Sequence, residues 1–119
     1  MKTNGVMGPS VLVVDDEPYI VDLVTDLLEG EGYRVRRAHD GIAALEEVDR
    51  APPDIVVADV MMPRLDGFAL AARLRERGVP TILMSAAIAA PNEPGIVFVP
   101  KPFDIDHLLD EVARVLATR

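Results

Sequence analysis

The chain has 119 residues, 50% of them hydrophobic and only 4% aromatic, and its 12 basic against 20 acidic residues give a net charge of −8. That length supports one hydrophobic core, built mostly from Val, Leu, Ile and Ala, and not two domains. The lack of cysteine excludes disulfides and thiolate metal sites, the acid excess disfavours direct nucleic-acid binding, and no apolar run approaches a membrane span. Residues 1–10 carry one lysine and no apolar stretch of signal-peptide length, so they are expected to form a flexible N-terminal extension to a single domain over 11–119, with a cytoplasmic location as the default.

Along the chain, strands and helices alternate. Val11–Val14 reads as a buried strand, and Pro18 opens a helix whose apolar face is Ile20, Leu23, Val24, Leu27 and Leu28. Gly30 and Gly32 stop it. Tyr33–Ala38 alternates as a more exposed strand, with Arg34, Arg36 and Arg37 as its polar members. Asp40-Gly41 starts a second helix with Ile42, Leu45 and Val48 inward, closed by Pro52-Pro53. Ile55–Val60 is strand three, and the loop from Met62 to Gly67 leads to a helix over Phe68–Arg77 ended by Gly78. Thr81–Ser85 and Ile96–Val99 are strands four and five. The last helix starts near Asp104, with Ile105, Leu108, Leu109, Val112 and Leu116 at helical spacing. Alternation with short connections implies right-handed crossovers and one doubly wound, three-layer α/β/α domain on a parallel sheet.

Asp15 and Asp16 follow the first strand and Asp59 ends the core of the third. In a parallel sheet both places lie at the carboxyl rim, where α/β proteins place ligands. Three anions gathered there repel one another unless a cation neutralises them, and oxygen-only ligation suits Mg²⁺. Taken alone, Asp15-Asp16 reads as a turn and helix cap, Lys101 as a solvated lysine and Ser85 as a strand-end hydroxyl. Together at parallel strand ends they read as a metal-assisted phosphate site. Asp54, ahead of strand three, is expected in solvent; His39 and His107 fit no metal spacing and are expected at the surface.

Four motifs, Val14-Asp15-Asp16-Glu17-Pro18, Asp59-Val60-Met61-Met62-Pro63-Arg64-Leu65-Asp66-Gly67, Ser85-Ala86 and Lys101-Pro102-Phe103, resemble the receiver domain of bacterial response regulators in two-component signalling, from Val11 to about Leu116. The resemblance implies a flavodoxin-like fold with a five-stranded sheet in the order 2-1-3-4-5. It also implies that a sensor histidine kinase or a phosphotransfer protein supplies a phosphoryl group to Asp59. Asp15 or Asp16, with Asp59 and the main-chain carbonyl of Met61, would hold Mg²⁺, with Asp16 the more direct ligand. Lys101 and Ser85 would meet the phosphoryl oxygens, Phe98 would be the switch aromatic three residues before the lysine, and Lys101-Pro102 would be cis. Output would pass to a downstream protein or to an output domain outside this chain, with no membrane and no direct nucleic-acid contact. Met61 and Ala87 flank the site and cannot activate a water, which implies slow self-hydrolysis.

The chain departs from the family in one place. Only Ala86–Gly95 is left for the crossover between strands four and five, and Pro91, Pro94 and Gly95 discourage a helix there. The fourth helix of the family is therefore expected to be shortened or replaced by a loop, which puts the usual symmetric dimer in doubt. Two other functions share these residues. A receiver-like interaction module without signalling fits the lost helix, and a small aspartyl-phosphate phosphatase fits the acids, although no general acid or cap segment is evident. The reading adopted is a phosphoacceptor domain that is not an enzyme.

Overall fold

Apolar runs rich in β-branched residues form four of the five strands of one parallel sheet, and an arginine-rich segment the fifth, in the computed structural model, which describes residues 8–85, 96–100 and 104–118. The strands are β1 (Ser10–Val14), β2 (Arg34–Ala38), β3 (Ile55–Asp59), β4 (Thr81–Ser85) and β5 (Ile96–Pro100). Their order is β2-β1-β3-β4-β5, as the sequence reading expected. The helices among the described residues are α1 (Pro18–Gly30), α2 (Gly41–Arg50), α3 (Gly67–Glu76) and α4 (Ile105–Thr118). The expectation of a lost helix between strands four and five concerns residues 86–95, outside the described residues; α4 is the C-terminal helix.

Because side chains alternate across a strand, each central strand feeds two cores. Leu12 and Val14 of β1, Val56 and Ala58 of β3 and Leu83 of β4 pack under α2 and α3 with Ala44, Leu45, Val48, Leu70 and Leu74. Val11, Val13, Ile55, Val57, Ile82 and Met84 pack on the opposite face under α1 and α4, with Val21, Val24, Leu28, Leu108 and Val112. Val14 stands opposite Ala58 in the β1–β3 pair, and Asp59 opposite Met84 in the β3–β4 pair. This register brings the carboxyl ends of β1, β3 and β4 to one rim.

Helix ends follow local chemistry. Pro18 occupies the first turn of α1, where its missing N–H has no partner to lose. Asp40 and Asp66 cap α2 and α3 by accepting from Ala43 N (2.7 Å) and Ala69 N (2.9 Å). After α1 it is Gly32, and after α3 Gly78, that takes the left-handed conformation, with φ of 95° and 72°.

Several sequence expectations need correcting. Leu23, Ile42 and Ile105, placed on inward faces by periodicity, are 39%, 45% and 45% exposed. Ile42 and Ile105 lie in first helical turns, at the sheet's rim, where the sheet no longer covers the helix. Asp54 is not free in solvent: half-buried, it accepts from Ser10 N at 2.7 Å and ties the start of β1 to the segment before β3. The first strand accordingly begins at Ser10, one residue inside the expected extension. His39 is exposed as expected, while His107 is half-buried and faces Glu111 at 3.4 Å.

These positions predict contrasting stabilities. Leu12→Ala, in the centre of the sheet, should cost about 2–5 kcal/mol in urea unfolding, whereas Ile42→Ala should stay within about 0.5 kcal/mol of the parent.

Candidate functional site

The chain leaves β1 and β3 with acidic residues at the same level of the sheet. Asp15 is fully buried and Asp59 nearly so, while Asp16 is exposed at the rim. One oxygen from each of the three carboxylates lies within 4.8 Å of the others. At that separation two carboxylates repel by roughly 3–4 kcal/mol at an effective dielectric of about 20. Asp15 is held in place by main chain: its Oδ1 accepts from Glu17 N (2.9 Å), and its own N–H donates to Ala38 O (3.3 Å).

The donor set suits a hard divalent cation. Opposite oxygens around Mg²⁺ are about 4.2 Å apart, from ligand distances of roughly 2.1 Å. A cluster already within 4.8 Å closes onto such an ion by small side-chain movements. Three carboxylates as the donor set also disfavour the softer metals that prefer thiolate or imidazole.

The loop after β3 is anchored at several points. Val60 N donates to Met84 O (3.0 Å) and Gly67 N to Val60 O (2.8 Å), so the loop leaves the strand end and returns to it. A Cβ on Gly67 would stand 2.5 Å from Asp59 O and 2.7 Å from Val60 Cα, so only glycine lets α3 start so close to the acid-bearing strand. At the far side, Arg64, with a φ of 67°, pairs with Asp40, the cap of α2, and Leu65 closes over Gly41. Met62 and Leu65 turn into the core, while Met61 is 73% exposed beside Asp59. The Ala43 amide and the Arg64 guanidinium hold the Asp40 carboxyl below its ordinary pKa.

Ser85 is buried at the end of β4, opposite Pro100 of β5. Phe98 stands opposite Leu83, so it shares a sheet face with Leu83 and Ser85, and its half-buried ring packs against the α2/α3 core. Of the sequence-expected residues, Asp15, Asp16 and Asp59 are brought together, Met61 follows them on the loop, and Ser85 ends the neighbouring strand. Lys101, the Lys101-Pro102 bond and Ala87 lie outside the described residues. Sequence reasoning placed Asp40 at the start of α2 but missed its pair with Arg64, which braces the loop, and the contact between the rings of Phe68 and Phe98. The Asp-Gly start of α2 was the available signal for Asp40; no local pattern announces a tertiary ion pair or ring contact.

The model of the response regulator receiver domain matches residues 11–113. The chain belongs to that family. This receiver domain, the signal-accepting module of two-component systems, is 38% identical over 118 residues to the response regulator GtcR of Aneurinibacillus migulanus, covering 93% of this chain and 48% of that protein. It is 35% identical over 118 residues to the DNA-binding dual master transcriptional regulator RpaA of Synechocystis, covering 91% of this chain and 49% of that protein. The receiver domain thus spans about half the length of the curated relatives it matches. Among solved structures, a receiver domain of a Francisella response regulator superposes with a TM-score of 0.85 at 33% identity, covering 93% of this chain and 98% of that one. The chemotaxis response regulator CheY4 of Vibrio cholerae superposes at 0.83 with 28% identity, covering 92% and 99%. The five-stranded order and the family expected from sequence are therefore both found.

Two predictions follow from the loop's anchoring. Gly67→Ala should destabilise the receiver domain by about 1–3 kcal/mol, because the added methyl must displace main chain; chemical unfolding reads this. Asp40→Asn keeps a cap but loses the charge on which Arg64 acts. Since the folded state lowers the Asp40 pKa, the parent's advantage over Asp40→Asn should be full above about pH 5 and disappear as pH falls through and below the ordinary aspartate value of about 4. Thermal unfolding of both proteins from pH 7 to pH 3 checks the sign.

Proposed function

We propose that this receiver domain takes up a phosphoryl group on Asp59 in a Mg²⁺-dependent reaction and signals through altered binding to a protein partner. The observation that carries this reading is the three-carboxylate cluster at the carboxyl ends of β1 and β3, in a chain of this family. Asp15, Asp16, Asp59 and the main-chain carbonyl of Met61 would hold Mg²⁺. When bound there, Mg²⁺ supplies charge compensation and alignment for the phosphoryl oxygens. The exposure of Asp16 at the rim supports it as the more direct ligand, since Asp15 already commits one oxygen to the Glu17 amide.

In the transfer, a carboxylate oxygen of Asp59 attacks phosphorus, the bond to the donor's leaving group breaks with its electron pair, and an acyl phosphate remains. The donor would be a phosphohistidine of a sensor histidine kinase or a phosphotransfer protein. Ser85 would donate a hydroxyl to the new phosphoryl oxygens, and Lys101 would pair with them as a compact cation. Modification adds roughly −1.5 to −2 charges and three acceptors at the rim. Drawing Ser85 towards them, on the same sheet face as Phe98, supports Phe98 as the aromatic that changes position. The exposed Met61 thioether offers no base for water, which supports slow self-hydrolysis and a signalling rather than a catalytic role.

The output would be a downstream protein or an output domain beyond this segment, in a cytoplasmic setting. None of the described helices is long and apolar enough to cross a membrane. The net charge of −8 argues against this domain itself gripping nucleic acid.

Incubation with acetyl phosphate should add one phosphoryl group by intact mass, only with Mg²⁺ and not in Asp59→Asn. Asp16→Asn should weaken the Mg²⁺ dependence by tenfold or more, on the order of 1.4 kcal/mol or above. An adduct of equal yield in Asp59→Asn would overturn the assignment, and multiple turnover of a phosphomonoester would favour a phosphatase.

A further inference from the structure

The first two residues of α3 make unlike contacts that form one path. Gly67 lies so close to the end of β3 that its position is fixed by Asp59 O and Val60 Cα, and its N–H donates to Val60 O at 2.8 Å. The next residue, Phe68, is half-buried, and its ring lies 5.9 Å from that of Phe98, centroid to centroid, with the planes at 47°. Phe98 sits in the middle of β5, a strand at the edge of the sheet. Among the described residues it therefore has a paired strand on one side only, and its ring is half-buried where neighbouring Val99 is fully buried on the other face.

Phenylalanine has no polar atom with which to hold a position, so packing alone decides where the Phe98 ring rests. A tilted ring pair at this separation is favoured beyond the area it buries. The contact exists only while Phe98 points at α3, so it weights that position against one nearer the Ser85 end of the strand pair. A contact present in one of two states shifts their ratio by its own strength, here about two- to tenfold.

We propose that Phe68 is a positioning residue of the switch. It holds Phe98 against α3 in the unmodified domain and links β5 to the Asp59 strand through Gly67. This deepens the phosphoacceptor reading and rests on it. The path runs Asp59, Gly67, Phe68, Phe98, and takes nothing from residues 86–95. It therefore couples the acceptor to the sheet edge by a route separate from the Ser85 hydroxyl. Swapping the ring for an aliphatic side chain of similar bulk should release Phe98 without touching the acid cluster.

The whole chain, labelled with fluorophenylalanine, gives one fluorine line for each of its three phenylalanines, assigned by single Phe→Leu substitutions. Saturation transfer on the Phe98 line reads the population of its second ring position directly, so the lost ring current of Phe68 does not enter. Spectra are taken before and after acetyl phosphate with Mg²⁺, with adduct formation followed by intact mass. In Phe68→Leu the adduct should form as in the parent, while the second position of Phe98 should be about two- to tenfold more populated before phosphorylation. Phe68→Tyr, which restores a ring, should return the parent's population, and Phe68→Met serves if the leucine variant does not fold. Normal adduct formation with an unchanged Phe98 population in Phe68→Leu overturns the role of Phe68 and leaves the acceptor assignment standing. No adduct in the parent overturns both.

Discussion

Parallel pairing of β1 with β3 is the constraint from which the rest of this domain follows. With Val14 opposite Ala58, the residues that come next, Asp15 and Asp59, have nowhere to go but the same stretch of rim. The register cannot relax to separate them. A one-residue slip of β1 would turn Leu12 and Val14 out of the core under α2 and α3 and push Val11 and Val13 into it, with every strand contact remade. Burial of two apolar faces thus enforces a crowding of negative charge. The core stabilises the fold, and the acids it gathers make a place whose mutual repulsion a divalent cation would relieve.

The loop after β3 combines restraint with exposure. Its main chain is tied back to β3 and β4 and braced by the Arg64–Asp40 pair, while Met62 and Leu65 bury their side chains. Between those anchors Met61 points outward. A carbonyl needed as a ligand is better placed by a braced main chain than by a mobile one. The left-handed φ of Arg64 is the conformational cost of turning so tightly, about 1–3 kcal/mol where the backbone is unfavourable. The ion pair to Asp40 and the burial of Leu65 over Gly41 offset it.

Much of this was legible in the sequence because the strands announce themselves. Val11–Val14 and Ile55–Ala58 are too β-branched and too evenly apolar for anything but doubly covered strands, and the acids follow directly. Helix faces were less legible. Periodicity marks an arc and not its coverage, so Leu23, Ile42 and Ile105 fell on apolar arcs that the sheet does not reach. Asp54 looked like a solvent residue because its partner, the Ser10 amide, is remote in sequence. The Phe68–Phe98 contact was invisible for the same reason: 30 positions separate them, and only the placement of β5 beside β4 brings the rings together.

The two edges of the sheet complete the physical picture. β2 carries Arg34, Arg36 and Arg37, with Arg37 paired to Asp22 of α1 and Arg36 to Glu47 of α2. Such pairs contribute little to stability one by one, but a charged edge repels a second strand. β5 has no such guard among its described residues; it ends in Pro100, which lacks the N–H a further strand would need. That gives a physical place to Pro100: among the described residues, one side of the β5 ladder has no neighbour. Phe98 lies at the middle of that edge and packs on the α2/α3 core, so on the proposed function a change at Asp59 would reach the edge at β5 through Phe68.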